Sequence, residues 1–102
     1  MDDGRRLRLQ PGPGDGQFVL SGELDVASTS SLDGTLRAVD AGGVVTLDLT
    51  GLTFIDSSGL RVLIEHHQRF EGAGGRLQLV NVSSRASRLL EMAGLSDHLH
   101  VS

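Results

Sequence analysis

The side chains best suited to chemistry lie together in the segment 54–60, Phe-Ile-Asp-Ser-Ser-Gly-Leu. A carboxylate, Asp56, is followed at once by two hydroxyls, Ser57 and Ser58. Apolar residues recur at helical spacing after Gly59, which places these polar groups at the start of a helix. A helix start has unpaired N–H groups and a partial positive charge, so it tolerates an added anion. The segment therefore predicts a candidate regulatory phosphorylation site.

The same polar groups have structural interpretations that stay open at this stage. A serine at a helix start can satisfy backbone donors, but Asp56 already stands where a cap should be, so a second cap is redundant. Asp56 is expected either to cap the helix and shape the loop or to orient Ser57 and contact a kinase. Gly59 either allows a partner backbone to approach closely or relaxes a tight helix start.

Three charged residues are candidates for partner contact. Glu23 and Asp25 follow a predicted strand, and in a mostly parallel sheet that strand end lies on the same side as the Asp56 loop. Their alternative role is that of a turn and a cap. Arg61 comes four residues after Ser57, so on a helix it faces the same side, where it either pairs with a phosphate or lies solvated.

Metal binding and catalysis find little support in the sequence. There is no cysteine. His66 and His67 are adjacent and point to different helix faces, while His98 and His100 share one face of a terminal strand, and neither pair completes a three-ligand set. His67 falls on the apolar face and is expected to pack. The glycine that a nucleophile elbow needs before Ser57 is absent, so we expect no metal, no cofactor and no enzyme activity.

Composition narrows the class of protein further. The chain has 102 residues, a net charge of −4 and three aromatic residues, which argues against nucleic-acid binding. No apolar run approaches a membrane span, and the first residues lack a signal peptide's apolar stretch, so a cytoplasmic location is expected. The length fits one domain over 1–102, with 1–6 as a flexible N-terminus.

The elements that must position the site alternate between strand and helix. Strands are predicted at 7–9, 17–22, 44–49, 76–81 and 98–101, with a hairpin between the first two. The first helix has an apolar stripe at Leu32, Leu36 and Val39, and Ser30 with Asp33 fits a capping box. The second helix follows Asp56 and runs to about Glu71. The third is capped by Ser83 or Ser84, has an apolar face of Ala86, Leu89, Leu90 and Ala93, and ends at Gly94. The order β-β-α-β-α-β-α-β predicts an α/β fold with a mixed, mostly parallel sheet and crossover helices, in two or three layers.

Four segments together resemble a known family. Gly22–Asp25, Asp56–Leu60, Arg88–Leu90 and Gly94–Leu95 look like the motifs of STAS domains, and the resemblance extends from about Leu7 to Val101. Among STAS proteins, a short chain with the Asp-Ser-Ser-Gly loop is most similar to the bacterial anti-sigma-factor antagonists.

The resemblance implies a partner switch. In that family the unphosphorylated antagonist binds an anti-sigma factor, which is also a serine kinase, and frees the sigma factor. Phosphorylation of the first serine after the loop aspartate breaks the complex, and a serine phosphatase restores the active form. Carried onto this chain, the acceptor is Ser57, with Ser58 as its competitor, and the partner-binding residues are Glu23, Asp25, Asp56, Ser57, Ser58, Gly59 and Arg61.

Arg61 departs from the family pattern, which usually has a small residue there, and the departure bears on which partner is bound. The alternative function is that of a STAS subunit in a stressosome or a lipid-transport complex, where no free switch operates. A small hydrolase built around Ser57 is a third hypothesis. The sequence does not decide the oligomeric state.

Overall fold

A computed structural model of the chain describes residues 6–92 and 100–101. The strands are β1 (Arg8–Pro11), β2 (Gln17–Leu24), β3 (Val44–Ile55), β4 (Arg76–Val80) and β5 (His100–Val101). The helices are α1 (Thr29–Arg37), α2 (Ser57–Gly72) and α3 (Ser84–Met92). The predicted order of elements, β-β-α-β-α-β-α-β, is confirmed.

The strands form one mixed sheet in the order β1-β2-β3-β4-β5. β1 and β2 pair antiparallel as the predicted hairpin, and the other neighbours are parallel. Each parallel step moves one strand further in the same direction, so right-handed crossovers put α1, α2 and α3 on the same face. Burial alternates along β2 and β4 as a sheet covered on one face requires. The fold therefore has two layers, and none of the helices in the described ranges lies on the opposite face of the sheet.

One hydrophobic core lies between the sheet and the helices. Leu20, Leu47 and Leu79 from the sheet pack in it with Leu36 of α1 and Phe70 of α2, all fully buried. Removing such a side chain from water stabilises the fold by about 1.5–3 kcal/mol. The core thus fixes α1 and α2 on the sheet, and with them the loops at the helix starts.

Strand β3 is twice as long as the predicted strand 44–49. It continues to Ile55, so only Asp56 separates β3 from α2, and the segment 54–60 is not a loop. The buried positions change phase along β3, because its pairing with β2 shifts register twice. These shifts interrupt the period of two by which a strand is recognised in sequence.

The buried histidine of α2 is His66, and the prediction that His67 packs on the apolar face is wrong. His66 is 1% exposed, whereas His67 is half-buried. Arg69 Nε–H donates to His66 Nδ1 (3.3 Å), so Nε2 bears the proton and donates to Asp33 Oδ1 (2.8 Å). A histidine can occupy the core here because both ring nitrogens have partners.

The predicted capping box of α1 does not form, because Ser30 lies inside the helix and not at its cap. The N-cap residue is Ser28, and no side chain caps α1. Asp33 instead accepts from Arg37 Nε (2.9 Å) and His66 Nε2, joining α1 to α2. The hydrogen bond from Arg37, and then that from His66, lowers the pKa of Asp33.

The third helix agrees with its prediction where it is described. Ser83 Oγ accepts from Ala86 N–H (3.1 Å), which selects Ser83 as the cap rather than Ser84. Ala86 and Leu90 are buried, and Leu89 packs against the core. The predicted roles of Ala93, Gly94, Leu95 and His98 fall outside the described residues.

Candidate functional site

The candidate site begins with Asp56, which caps α2. Its backbone is extended, with φ −115° and ψ −174°, and its Oδ1 accepts from Gly59 N–H (3.1 Å). Asp56 N–H donates to Leu24 O (3.2 Å), which continues the pairing of β2 and β3 to the edge of the sheet. The capping role predicted for Asp56 is therefore confirmed, and its backbone ties the start of α2 to the carboxyl end of β2.

Ser57 and Ser58 differ in exposure although they are neighbours. Ser57, the first residue of α2, is exposed, and Ser58 is half-buried. Neither hydroxyl forms a hydrogen bond within the part of the chain that the structure describes. Because Asp56 supplies the cap, the helix does not need the Ser57 hydroxyl for its stability. Ser57 is accessible from solvent.

Gly59 allows a close approach within the chain itself. It is buried, and a Cβ at this position would lie 2.7 Å from Leu24 Cγ and 2.9 Å from Leu24 O. A real Cβ does not approach other atoms so closely, so a larger residue would push α2 away from β2. Gly59 therefore positions the serines by seating the first turn of α2 against the strand.

The turn between β2 and α1 is organised by Asp25 and Ser28. Asp25 Oδ1 accepts from Ala27 N–H (3.0 Å) and lies 3.2 Å from Ser28 Oγ. The Ser28 hydroxyl donates to Glu23 O (2.9 Å), and its oxygen accepts from Asp25 N–H (3.0 Å). These bonds confirm the alternative, structural role of Asp25, whose half-buried carboxylate holds the turn.

Glu23 and Arg61 remain accessible on either side of this turn and helix start. Glu23 is half-buried at the end of β2, where it lines a shallow hollow of about 280 Å³ together with Arg6 and Ser31. Arg61 is exposed on α2 and has no ion pair in the described structure. The carboxyl ends of β2 and β3 thus bring Glu23, Asp25 and Asp56 to one edge of the sheet, as the sequence predicted.

Two apolar side chains at this edge were not assigned any role from the sequence. Val26 in the β2–α1 turn is 75% exposed, and Phe54 near the end of β3 is 41% exposed. The only sequence signal for Val26 is its place in a polar turn. The alternation of β3 would place Phe54 outwards if it were continued past Leu49, but the predicted strand ended there.

Other chemistry finds no assembled site in residues 6–92 and 100–101. No three His, Asp or Glu side chains there lie together as a metal site would require. Asp33 and Arg69 occupy both ring nitrogens of His66, so neither nitrogen is available to activate Ser57. Within the same described ranges, no helix has the length and apolar character needed to cross a bilayer.

The fold and the helix-start serines together define an α/β domain that presents its polar groups at the carboxyl edge of a parallel sheet. The profile of the STAS domain matches residues 7–102, and the chain belongs to the STAS domain family. The family resemblance read from the sequence is confirmed.

Several known proteins similar to this chain are named anti-sigma factor antagonists. An anti-sigma-B factor antagonist of Bacillus subtilis is 32% identical over 87 residues, covering 84% of this chain and 80% of the relative. The crystal structure of an anti-sigma factor antagonist from Mycobacterium paratuberculosis superposes with a TM-score of 0.80 at 22% identity, covering 99% of this chain and 89% of that one. The Bacillus cell fate determinant SpoIIAA, solved in its phosphorylated form, superposes with a TM-score of 0.68 at 20% identity, covering 94% and 90%.

Proposed function

We propose that this chain is a phosphorylation-controlled antagonist of an anti-sigma factor. In the unphosphorylated form it binds an anti-sigma factor that is also a serine kinase, and the sigma factor is released in the cytoplasm. Phosphorylation of Ser57 ends the binding, and a serine phosphatase restores it. The names of the similar proteins support the role, and the exposed, uncommitted hydroxyl of Ser57 beside its capping neighbour Asp56 is the observation that supports the switch.

The position of Ser57 explains how a phosphate could change binding without changing the fold. A phosphoserine adds about −1.5 to −2 charges at neutral pH. At the first residue of α2 those charges lie at the positive end of the helix dipole, so the domain tolerates them. Against an apposed protein surface they add to the carboxylate of Asp56, and each loss of ~1.4 kcal/mol weakens binding tenfold.

The remaining candidate residues divide into two groups in this proposal. Glu23, Ser58 and Arg61 contact the partner, and Arg61 is placed four residues after Ser57 to pair with the added phosphate. Asp25, Asp56 and Gly59 act by holding the β2–α1 turn and the first turn of α2 in place, since their groups are engaged within the chain.

Intact-mass spectrometry tests the switch directly. The wild type, Ser57→Ala and Ser58→Ala are incubated with host lysate and Mg-ATP. We expect one added phosphoryl group on the wild type and on Ser58→Ala, and none on Ser57→Ala. Full labelling of Ser57→Ala would move the acceptor to another residue. No labelling of any form, where a control antagonist is labelled, would overturn the switch.

A binding measurement completes the test. The kinase identified by labelling is purified, and its affinity for the unphosphorylated and phosphorylated chains is measured by calorimetry. We expect a loss of at least about tenfold on phosphorylation, with an unchanged far-UV circular dichroism spectrum. Equal affinities would contradict the proposal, and a loss of helical signal would contradict the intact fold. Elution of the chain as part of a megadalton assembly would favour a scaffold subunit.

A further inference from the structure

Two large apolar side chains, Val26 and Phe54, point to solvent at the carboxyl edge of the sheet, where the proposed switch lies. They are 75% and 41% exposed. Phe54 precedes Ser57 by three residues, and Val26 follows β2 in the turn held by Asp25. Exposing an aromatic or a branched side chain brings no stability to the fold.

An irregularity in the sheet lies directly before Phe54. Thr53 is an extra residue between Leu52 and Phe54, because the two β2 residues that pair with them are consecutive. Thr53 Oγ1 donates to Gly22 O (3.1 Å), which holds the extra residue in place. Leu52 and Ile55 can therefore both face the core although they are three residues apart. Phe54, adjacent to Ile55, faces away from the core.

The two register shifts determine the position of Phe54 together. The first shift alone would place Leu52 and Phe54 on the core face of β3, and the second, at Thr53, turns Phe54 outwards again. Bulges of this kind are common at functional edges of sheets. Leu52 and Ile55 are therefore both buried, while Phe54 stays on the surface.

Val26 is held just as firmly at the tip of its turn. The backbone N–H groups of Ser28 and Thr29 both donate to Asp25 O (3.0 Å each), and Ala27 N–H donates to Asp25 Oδ1 (3.0 Å). Thr29 Oγ1 donates to Val26 O (3.3 Å). A side chain on such a rigid turn loses little conformational entropy when a partner covers it.

Charged groups of both signs surround Phe54. Glu23 is its register partner on β2. On the other side, Arg85 and Ser83 at the start of α3 line a small hollow together with the end of β3. An aromatic residue with a charged rim is the usual arrangement at an energetic centre of a protein–protein interface. The surface fits a protein partner that offers an apolar hollow bordered by complementary charges.

We propose that Val26 and Phe54 are the apolar anchors by which this chain docks on its anti-sigma factor. The contact surface then extends from the start of α2, round the carboxyl edge of β2 and β3, onto the outer face of the sheet. This inference rests on the proposed function and names residues that the switch itself does not require. It also explains how the switch works, because a phosphate on Ser57 enters the edge of an apolar, desolvated contact, where an added charge is costly.

The chain offers a matched control for these anchors. Val44, at the opposite end of β3, is 56% exposed, so it resembles them in apolar character and exposure but lies at the amino edge of the sheet. Truncating any of the three side chains should leave the core intact. Equal thermal stability of the variants verifies this.

Calorimetric titration of the purified anti-sigma factor with Phe54→Ala, Val26→Ala and Val44→Ala tests the inference, all chains being unphosphorylated. We expect Phe54→Ala to weaken binding at least about tenfold and Val26→Ala about threefold or more, with Val44→Ala within about twofold of the wild type. If the wild type binds and all three variants bind with the same affinity, the role of Val26 and Phe54 as anchors is overturned while the switch stands. Failure of the wild type to bind would overturn the proposed function, and the anchors with it.

Discussion

The two edges of the parallel sheet are built in opposite ways. At the amino edge the chain is packed tightly on itself: a Cβ on Gly75 would overlap the carbonyl oxygens of Ala41 and Gly43, and one on Gly16 would lie 2.5 Å from Val44 O. At the carboxyl edge Ser57 has an uncommitted hydroxyl, and Phe54 is turned outwards.

The backbone hydrogen bonds follow the same division. At the amino edge Arg76 N–H donates to Gly43 O (3.0 Å), and Thr46 N–H donates to Gly16 O (2.8 Å), so neighbouring turns are tied directly to one another. At the carboxyl edge one backbone bond, from Asp56 N–H to Leu24 O (3.2 Å), ties α2 to β2, and the side-chain bonds there organise single turns. The comparison teaches that backbone packing fixes the turns of the amino edge, whereas the carboxyl edge also leaves side chains facing outwards.

Gly75→Ala should give the largest effect, because it disrupts the amino edge. The new methyl group would meet backbone carbonyl oxygens, which cannot move without breaking the turns, so we expect the free energy of unfolding to fall by at least about 3 kcal/mol. Urea denaturation measures it. Gly34→Ala is the control: no atom lies within 4 Å of that position in α1, and a gain of about 0.5–1 kcal/mol is expected. A loss below about 1 kcal/mol for Gly75→Ala would contradict the tight packing.

At the carboxyl edge, Asp56 and Ser57 should separate stability from binding. Asp56→Ala removes the cap of α2 and should lower the free energy of unfolding by about 1 kcal/mol, while Asp56→Asn should retain most of it. Ser57→Ala should change stability by less than about 0.5 kcal/mol, because its hydroxyl has no partner in the described structure. A larger loss for Ser57→Ala than for Asp56→Ala would mean that the serine is a structural cap.

The sequence predicted those features that depend on neighbours in the chain. The cap at Asp56, the hairpin, and the order of strands and helices follow from local spacing and turn chemistry, and all are confirmed. The α1 capping box failed because α1 begins at Thr29, which leaves Ser30 inside the helix, and Asp33 pairs instead with His66 of α2. No local pattern shows that alternative.

The length of β3 and the orientation of its side chains depend on pairing between strands. Each register shift adds one residue to β3 relative to β2, so the buried positions pass from Leu49 to Leu52 and then to Ile55. Alternation read from the sequence ends at the first shift, and for that reason the strand was predicted to stop at Leu49. Alternation continued past Leu49 without shifts would place Leu52 outwards and Thr53 inwards, whereas the shifts bury Leu52 and then return Phe54 to the outer face.

Asp48 lies in β3 between the two edges, and its substitution should change the stability of the fold least. It is the last β3 residue paired with β4, and its Oδ1 accepts from Thr50 N–H (2.9 Å), Thr50 Oγ1 (2.6 Å) and Asn81 Nδ2 (3.0 Å). Hydrogen bonds from the Thr50 side chain, and then from Asn81, lower the pKa of Asp48 below its usual 3.8. The ionised carboxylate therefore holds the first register shift of β3 in place.

The sign of the pH dependence follows from that lowered pKa. Asp48 stabilises the folded chain fully above its unfolded-state pKa, and this contribution is lost as the pH falls through the lower folded-state value. We expect Asp48→Asn to be less stable than the wild type at neutral pH and the difference to shrink as the pH falls below the usual aspartate pKa of 3.8. Chemical denaturation at each pH measures it, and taking the difference cancels the parallel contribution of Asp33. If the stability difference between the two chains stayed constant down to the lowest pH, the charge of the Asp48 carboxylate would not be what holds the first register shift of β3.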